Sequence, residues 1–192
     1  MGSNPKRGGS TQNPLYIRYH DEEWGVPIHD DQKLFEMLSL EGFQAGLTWE
    51  LILKRREALK KAFANFRPKV VAEYTIQDVE NILKNPDVIR NRSKVTATIN
   101  NAQVFLRIQH ELGSFDKFIW RFVNGTPIDH GFQSMLEMPA QTEESRAMSK
   151  ELNKQGFKFV GPTICYAFMQ AVGMVNDHLT SCFRHRQIQT AK

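Results

Sequence analysis

Hydrophobic residues recur along most of this chain at intervals of three and four, the spacing of one face of an α-helix. The longest segment of this kind covers residues 90–112, and Gly113 after it is the residue type that most often closes a helix in left-handed geometry. We find no sustained alternation of apolar and polar residues, as strands would show, and no internal repeat. The pattern therefore predicts an all-α fold.

Residues that favour helix N-termini precede most of the apolar segments. The side chain of such a residue accepts a hydrogen bond from a free N–H group of the first turn. A last short helix is expected at residues 177–183, whereas residues 126–140 are expected to be irregular. The candidate caps are Asp30 or Asp31, Thr48, Thr75, Ser114 and Thr142.

The composition divides the chain into three parts. Residues 1–13 are polar and rich in glycine, serine and asparagine, which predicts a flexible N-terminal tail. Residues 14–183 hold the predicted helices, and we expect them to form a single domain of two helical lobes with a groove between the lobes. Residues 184–192 are expected to be a basic C-terminal tail.

Composition and charge narrow the classes of protein to consider. The chain has 192 residues, 41% of them hydrophobic, but no segment approaches the roughly 18 apolar residues that cross a membrane, so we expect no membrane partner. Two cysteines, Cys165 and Cys182, are too few for a disulfide framework, which favours the reducing cytoplasm. The net charge of +4 favours a polyanion as partner. The helix predicted after Thr48 has a basic polar face that is expected to contact phosphates. Its residues are Lys54, Arg55, Arg56, Lys60 and Lys61.

A glycine-rich segment between two predicted helices, residues 156–163, is a candidate phosphate-binding site. A glycine just before a helix lets the backbone approach a phosphate, and the free N–H groups of the helix start can then bind the anion. Gly156, Gly161 and Thr163 occupy these positions, and Lys158 adds a positive charge. The alternative is an ordinary turn between two helices.

Together with this hairpin, other segments carry a family resemblance: residues 14–27 (PLYIRYHDEEWGVP), 40–49 (LEGFQAGLTW) and 175–178 (VNDH). With them the chain closely resembles the bacterial 3-methyladenine DNA glycosylase I (Tag) family. The resemblance implies a two-lobed, all-helical fold of the helix-hairpin-helix glycosylase superfamily. It also implies hydrolysis of the bond between N3-methyladenine and its sugar in double-stranded DNA, and we expect the protein to act as a monomer. No lysine follows the hairpin where bifunctional relatives use one, so no lyase step is implied.

The chemistry of such a substrate explains the residue types in these segments. Methylation at N3 makes the adenine ring cationic within the nucleoside, so the base leaves easily and a pocket that holds the flipped nucleotide can suffice. Aromatic faces attract a cationic ring. By resemblance, Glu41 is the catalytic carboxylate that recognises the base, Trp49 the stacking platform and Tyr19 a hydroxyl that contacts the base.

Other residues of the same segments also receive roles from the resemblance. Tyr16 and Trp24 are expected in the pocket wall, with core packing as the alternative, and Gln44 is expected to bind the substrate. Gly46 and Leu47 form a loop that is expected to enter the gap that the flipped base leaves in the duplex. A related lesion such as 3-methylguanine stays open as the preferred base.

A metal site is suggested by His178 and Cys182, which are four residues apart in the predicted last helix and would share a face. The family pattern adds His20 and an N-terminal cysteine, but that cysteine is absent here, where its position falls at Arg7 or Gly8. One interpretation is a structural zinc whose shell is completed by water, Asp177 or His185. The other is a metal-free site of hydrogen-bonded histidines, and in neither does the chemistry require a cofactor.

The sequence leaves three functional questions open: the role of Asp177, and two other functions for the whole chain. Asp177, the nearest carboxylate after the hairpin, is expected to cap the last helix, with an action on the sugar as the alternative. The whole chain could bind DNA lesions without cleaving them, using the same fold. A metal-dependent hydrolase built on His20, His178 and Cys182 is the third possibility.

Overall fold

Helix starts are fixed by capping side chains along most of the chain. The computed structural model describes residues 12–190. The helices in that part are α1 (Pro14–Glu22), α2 (Asp31–Gln44), α3 (Trp49–Ala62), α4 (Pro68–Val71), α5 (Ile76–Lys84), α6 (Arg92–Leu112), α7 (Phe115–Trp120), α8 (Glu143–Gln155), α9 (Pro162–Ala171) and α10 (Phe183–Thr190). Predicted caps that accept an N–H of their helix are Asp30, Thr48, Thr75, Ser114 and Thr142. These predictions are confirmed, and Asp30, not Asp31, caps α2.

Strand structure is confined, within the described residues, to two short segments. β1 (Ile128–Asp129) and β2 (Val175–Asn176) pair in parallel, with Ile128 opposite Val175. β1 lies inside the stretch that the sequence predicts to be irregular. The all-α prediction is confirmed, because two residues per strand add little to a helical fold.

The central element of the fold is α2, which contacts α3, α6, α7 and α9. Leu34, Phe35, Leu40 and Phe43 of this helix are almost fully buried, so it is apolar on more than one face. Beside it the rings of Phe105 and Phe115 stack with centroids 4.2 Å apart, and Phe35 meets the Phe105 ring edge-on. The buried apolar side chains form a continuous core. The division of this core into two lobes stays a prediction.

The C-terminal part differs from the sequence-based expectation. The last helix lies at Phe183–Thr190, not at residues 177–183, so most of the predicted basic tail is helical. Asn176 belongs to β2, and the Asp177 side chain accepts hydrogen bonds from distant residues instead of capping a helix. His178 and Cys182 therefore lie in a loop, and the prediction that they share a helix face is wrong.

The predicted N-terminal tail falls almost entirely outside the described residues, as do Arg7 and Gly8. Asn13, its last residue, caps α1 through a hydrogen bond from the Leu15 N–H. Between residues 12 and 190, no helix combines the length and the apolar character needed to cross a membrane.

One close backbone contact makes a test of this packing. Gly173 has φ +71°, and a Cβ there would lie 2.4 Å from both Pro27 N and Val26 C. We predict that Gly173→Ala lowers the free energy of unfolding by roughly 2–4 kcal/mol. The backbone at Val26 and Pro27 must move away from the new Cβ, and alanine must also adopt an unfavourable positive φ. Gly125→Ala is the control, since it has φ +73° but no atom within 4 Å, and it should cost about 1 kcal/mol. Equal losses in urea denaturation of the two variants would contradict the packing argument.

Candidate active site

A cavity of about 300 Å³ lies between the N-terminal helices and the α9 side of the fold. The six residues expected in a base pocket all line it: Tyr16, Tyr19, Trp24, Glu41, Gln44 and Trp49. The opposite wall is formed by Met135, Met138, Ala167, Gln170, Asp177 and Leu179, and His20 and His178 also line the cavity. Of these residues the sequence indicated only Asp177, His20 and His178, and it gave them other roles. The predicted residues are thus brought together, and they account for about one half of the pocket.

Glu41 lies in the last turn of α2 with its side chain in the pocket wall and only 4% exposed. No residue in the described part of the chain forms a hydrogen bond or an ion pair with its carboxyl group. Burial raises the pKa of Glu41 from its ordinary value of 4.5 to about 8. The carboxyl therefore keeps its proton at neutral pH until a positive charge or a hydrogen-bond donor enters the pocket.

Aromatic rings surround this carboxyl group. Tyr19 is buried, and its ring lies 5.3 Å from that of Trp49, centroid to centroid, at 50°. Burial, and then the negative charge of Glu41, raise the pKa of both Tyr16 and Tyr19, so both phenols stay neutral and can donate a hydrogen bond. The indole Nε1 of Trp49 is buried without a hydrogen-bond partner among the described residues.

Asp177 anchors the opposite wall. Its carboxylate accepts hydrogen bonds from His130 Nδ1 at 2.6 Å, Tyr166 Oη at 2.5 Å and Gln170 Nε2 at 2.8 Å. Because a carboxylate only accepts, these contacts fix the His130 tautomer and turn the Gln170 amide nitrogen toward Asp177. The expected cap of the last helix is wrong, and three protein donors occupy the oxygens that an action on the sugar would need.

The loop after α2 is closed by Gln44. Its Nε2 donates to the Leu47 carbonyl at 2.9 Å, and the Leu47 N–H donates to the Gln44 carbonyl at 2.7 Å. Gly46 at the tip is exposed, has φ +74° and has open space where a Cβ would lie. Leu47 is half-buried and packs against the core. The tip of this loop therefore presents mainly backbone atoms to solvent.

Lys94 of α6 holds the end of α2 in place. Its Nζ donates to the carbonyls of Phe43 at 2.7 Å and Ala45 at 2.6 Å, and the side chain is almost fully buried. A cation at a helix C-terminus interacts favourably with the helix dipole. Sequence reasoning missed this residue, although a lysine at the start of the longest apolar helix was the available signal.

Two asparagines of the same helix fasten the hairpin. Asn101 accepts from the Lys158 N–H at 2.8 Å and donates to the Lys158 carbonyl at 2.9 Å, while Asn100 donates to the Gly156 carbonyl. Gly161 precedes α9 without a side-chain cap, so the first-turn N–H groups stay free for an anion. The Lys158 and Thr163 side chains are exposed beside them.

The basic face of α3 is less available than its sequence indicates. Arg56 is largely buried between Glu23 and Glu36, with nitrogen–oxygen distances of 2.8 and 2.9 Å. Ion pairs also join Lys54 to Glu50, Arg55 to Asp87 and Lys60 to Glu57. The expectation that this face contacts phosphates is therefore weakened for these four residues, because their charges already face carboxylates, whereas Lys61 is exposed and stays a candidate.

His20, His178 and Cys182 form a cluster at the edge of the cavity, which His20 and His178 also line. Each histidine has a nitrogen 3.7 Å from Cys182 Sγ, close to the ~3.6 Å expected between sulfur and nitrogen on a tetrahedral zinc. The other His20 nitrogen donates to Asp21, and the other His178 nitrogen donates to the Trp24 carbonyl. Both inward nitrogens are then unprotonated, as metal ligands must be. Asp177 and His185 bind elsewhere, so neither completes the cluster.

A hairpin between two helices, set beside an aromatic pocket with a buried carboxyl group, defines a DNA glycosylase that accepts a flipped base. A family model described as methyladenine glycosylase matches residues 9–185. DNA-3-methyladenine glycosylase 1 of Escherichia coli (strain K12) is 49% identical over 91% of this chain and 94% of its own. The chain belongs to the methyladenine glycosylase family.

Solved structures agree with this assignment. A crystal structure of 3-methyladenine DNA glycosylase I (TAG) has a TM-score of 0.91 and 49% identity, and covers 93% of this chain and 98% of that one. A tyrosine-to-phenylalanine variant of 3-methyladenine DNA glycosylase I in complex with 3-methyladenine has a TM-score of 0.88 and 39% identity. That match covers 90% of this chain and 93% of the other.

The buried Glu41 carboxyl should cost stability at high pH. The folded protein holds this proton between about pH 4.5 and 8, where the unfolded chain has lost it, so stability falls as the pH rises through that range. We predict that Glu41→Gln is more stable than the wild type by roughly 4 kcal/mol near pH 8, and that the difference vanishes toward pH 4.5.

The matched control is Glu36→Gln in the same helix. Although burial alone raises the Glu36 pKa, Arg56 and Lys33 lower it below the ordinary range, so this change should destabilise the protein at pH 8. Urea denaturation of both variants from pH 4.5 to 8.5 measures the effect. A destabilised Glu41→Gln protein at pH 8 would show that the carboxyl is paired.

Proposed function

We propose that this chain is a monofunctional DNA-3-methyladenine glycosylase, which hydrolyses the N-glycosidic bond of N3-methyladenine in double-stranded DNA. The observation that carries the proposal is the unpartnered carboxyl group of Glu41, buried among aromatic faces in a cavity large enough for a purine. The names of the curated relatives and the 3-methyladenine bound to a structural relative support the same substrate.

The substrate supplies most of the reactivity. In the intact nucleotide the methylated ring carries a positive charge, and when the bond between C1′ and the base nitrogen breaks, its electron pair neutralises the ring. The sugar is left as an oxocarbenium ion, which water captures with loss of a proton. An enzyme for this reaction must stabilise positive charge and hold the flipped nucleotide, and it needs no strong acid.

Glu41 is the group that responds to that charge. A cationic base in the pocket favours the ionised carboxyl, which then accepts hydrogen bonds from the exocyclic amine. Burial strengthens this attraction, because little water screens it. Trp49 stacks on the ring and Tyr19 donates from its neutral hydroxyl, while Tyr16, Trp24 and Gln44 complete the wall on that side.

The proposal assigns no catalytic step to Asp177. Its oxygens accept from His130, Tyr166 and Gln170, so it acts as a positioning residue for the far wall. No lyase step is proposed either. The enzyme works chiefly by binding and desolvating a nucleotide that methylation has already activated.

The DNA backbone is gripped by the hairpin. The free N–H groups at the start of α9, together with Gly156, Lys158, Gly161 and Thr163, fit a phosphate, and this contact should weaken with salt. The Gly46–Leu47 loop enters the duplex at the flipped nucleotide. We propose that the protein acts as a monomer in the cytoplasm, where its two unpaired cysteines are stable.

We further propose one structural zinc held by His20, His178 and Cys182, with water as the fourth ligand. Residues 1–13 contain no Cys, His, Asp or Glu, so they offer none of the usual ligand side chains. When bound, the metal ties α1 to the loop before α10. The alternative is the same cluster held by hydrogen bonds alone.

Excision tests the proposed function directly. We predict that the wild type releases 3-methyladenine from methylated duplex DNA, and that Glu41→Gln lowers this rate about 100-fold, since an amide cannot become the negative charge that a cationic base favours at this position. The rate constant kcat/KM of the wild type should rise with pH up to about 8, as Glu41 ionises, and the variant should lose this dependence. Chromatography of the released bases measures both.

The control is Glu57→Gln, which changes an exposed glutamate of α3 outside the cavity. It should excise at the wild-type rate. Binding of methylated DNA without release of any base by the wild type would favour the lesion-binding alternative, and full activity of Glu41→Gln would remove Glu41 from the mechanism.

Elemental analysis tests the zinc proposal. We predict one zinc per chain after gel filtration of the wild type, and loss of the metal with a lower melting temperature in Cys182→Ala, because two neutral imidazoles alone bind zinc weakly. Cys165→Ala, which removes the other buried cysteine, should keep the metal. A wild type without zinc would establish the hydrogen-bonded alternative.

A further inference from the structure

A turn on the far side of the pocket exposes an apolar side chain to an unusual degree. Leu136 is 97% exposed, the highest value among the large hydrophobic side chains of residues 12–190. A single exposed leucine is common, but Leu136 follows Met135, which is 56% exposed, so the two side chains form an apolar patch that a partner can bury. The resemblance to known glycosylases assigned no role to this residue.

The position of Leu136 relative to the pocket follows from its neighbours. Met135 lines the cavity and is 56% exposed, so it lies where the cavity opens to solvent. Met138, on the other side of Leu136, also lines the cavity. On the opposite wall the opening is bordered by Gln44 and Trp49, both only partly buried. Leu136 therefore lies beside the opening, between two residues that line the cavity, and the Gly46–Leu47 loop likewise lies between the lining residues Gln44 and Trp49.

The turn that carries Leu136 is held by hydrogen bonds. Glu137 accepts from the Gln133 N–H at 2.9 Å and from Ser134 Oγ at 3.3 Å, and its own N–H donates to the Ser134 carbonyl. The Gln170 amide that Asp177 orients also contacts Met138 Sδ at 3.2 Å. These contacts present Leu136 on a fixed frame connected to the pocket wall.

A base that enters this opening leaves a gap in the duplex directly outside it. Proteins that open or bend DNA commonly fill such a gap with an apolar side chain inserted between base steps. The opposite loop offers the tip of Gly46 and a Leu47 side chain that already packs against the core. This loop therefore has little free apolar side chain to fill the gap, and another part of the rim must supply it.

We propose that Leu136 is a second wedge, which inserts into the base stack beside the flipped nucleotide from the side opposite the Gly46–Leu47 loop. This inference rests on the proposed excision from double-stranded DNA. Insertion buries the exposed leucine and stabilises the extruded state of the nucleotide. Leu136 should therefore contribute only to the opening of the duplex. It should not affect binding of the free base, nor cleavage of the glycosidic bond once the base is in the pocket.

The test compares Leu136→Ala with the wild type on the same DNA strand, methylated as a duplex or as a single strand without its complement, with no heating step. We predict that the variant releases 3-methyladenine from the duplex about tenfold more slowly, and from single strands at nearly the wild-type rate, because only the duplex must be unstacked. Leu136→Met, which keeps an apolar wedge, should retain most of the activity. Calorimetric binding of free 3-methyladenine should be equal in all three proteins.

Ile76→Ala is the matched control, since Ile76 is 80% exposed at the start of α5 and does not line the cavity. It should excise at the wild-type rate from both forms of DNA. A Leu136→Ala protein that matches the wild type on duplex, or that is slowed equally on single strands, would overturn the wedge. Wild-type protein that releases no base from either form would overturn the proposed function, and the wedge with it.

Discussion

A carboxyl group buried without a protein partner is the constraint on which the pocket depends. Glu36 and Glu41 belong to the same helix and are nearly equally buried, at 6% and 4% exposure. Glu36 meets Lys33 Nζ at 3.0 Å and Arg56 Nε at 2.9 Å, and its pKa falls despite burial. Glu41 meets no such group and its pKa rises. The difference between the two is the partner, so the missing partner of Glu41 is expected to be a ligand.

Helix α6 acts as the common frame for the two segments that we propose to contact DNA. Lys94 holds the end of α2, and Asn100 and Asn101 hold the hairpin, so the loop and the hairpin are fixed to one rigid element. Lys94 and Asn101 are two turns apart and lie on the same face of that helix. The distance between the loop and the hairpin is therefore set by a single helix, independently of the longer chain path that links them.

The sequence predicted local structure and the motif-bearing wall of the pocket well. Helix caps such as Thr48 depend on neighbouring residues only, and the residues around Glu41 lie in segments that match a known family. The opposite wall was missed because Met135 and Gln170 are brought to the pocket by tertiary packing, which no local pattern records. The last helix was placed too early because Asp177 resembles a cap, whereas the fold uses its carboxylate to hold His130, Tyr166 and Gln170.

The placement of the tryptophans has a practical consequence. Of the three tryptophans in the chain, Trp24 and Trp49 line the cavity, whereas the Trp120 indole donates to the Ile28 carbonyl at 2.9 Å, away from it. We expect a purine stacked in the cavity to quench the emission of Trp24 and Trp49 and to leave that of Trp120 unchanged. The chain thus carries an intrinsic fluorescence reporter of occupancy, with Trp120 as its internal reference.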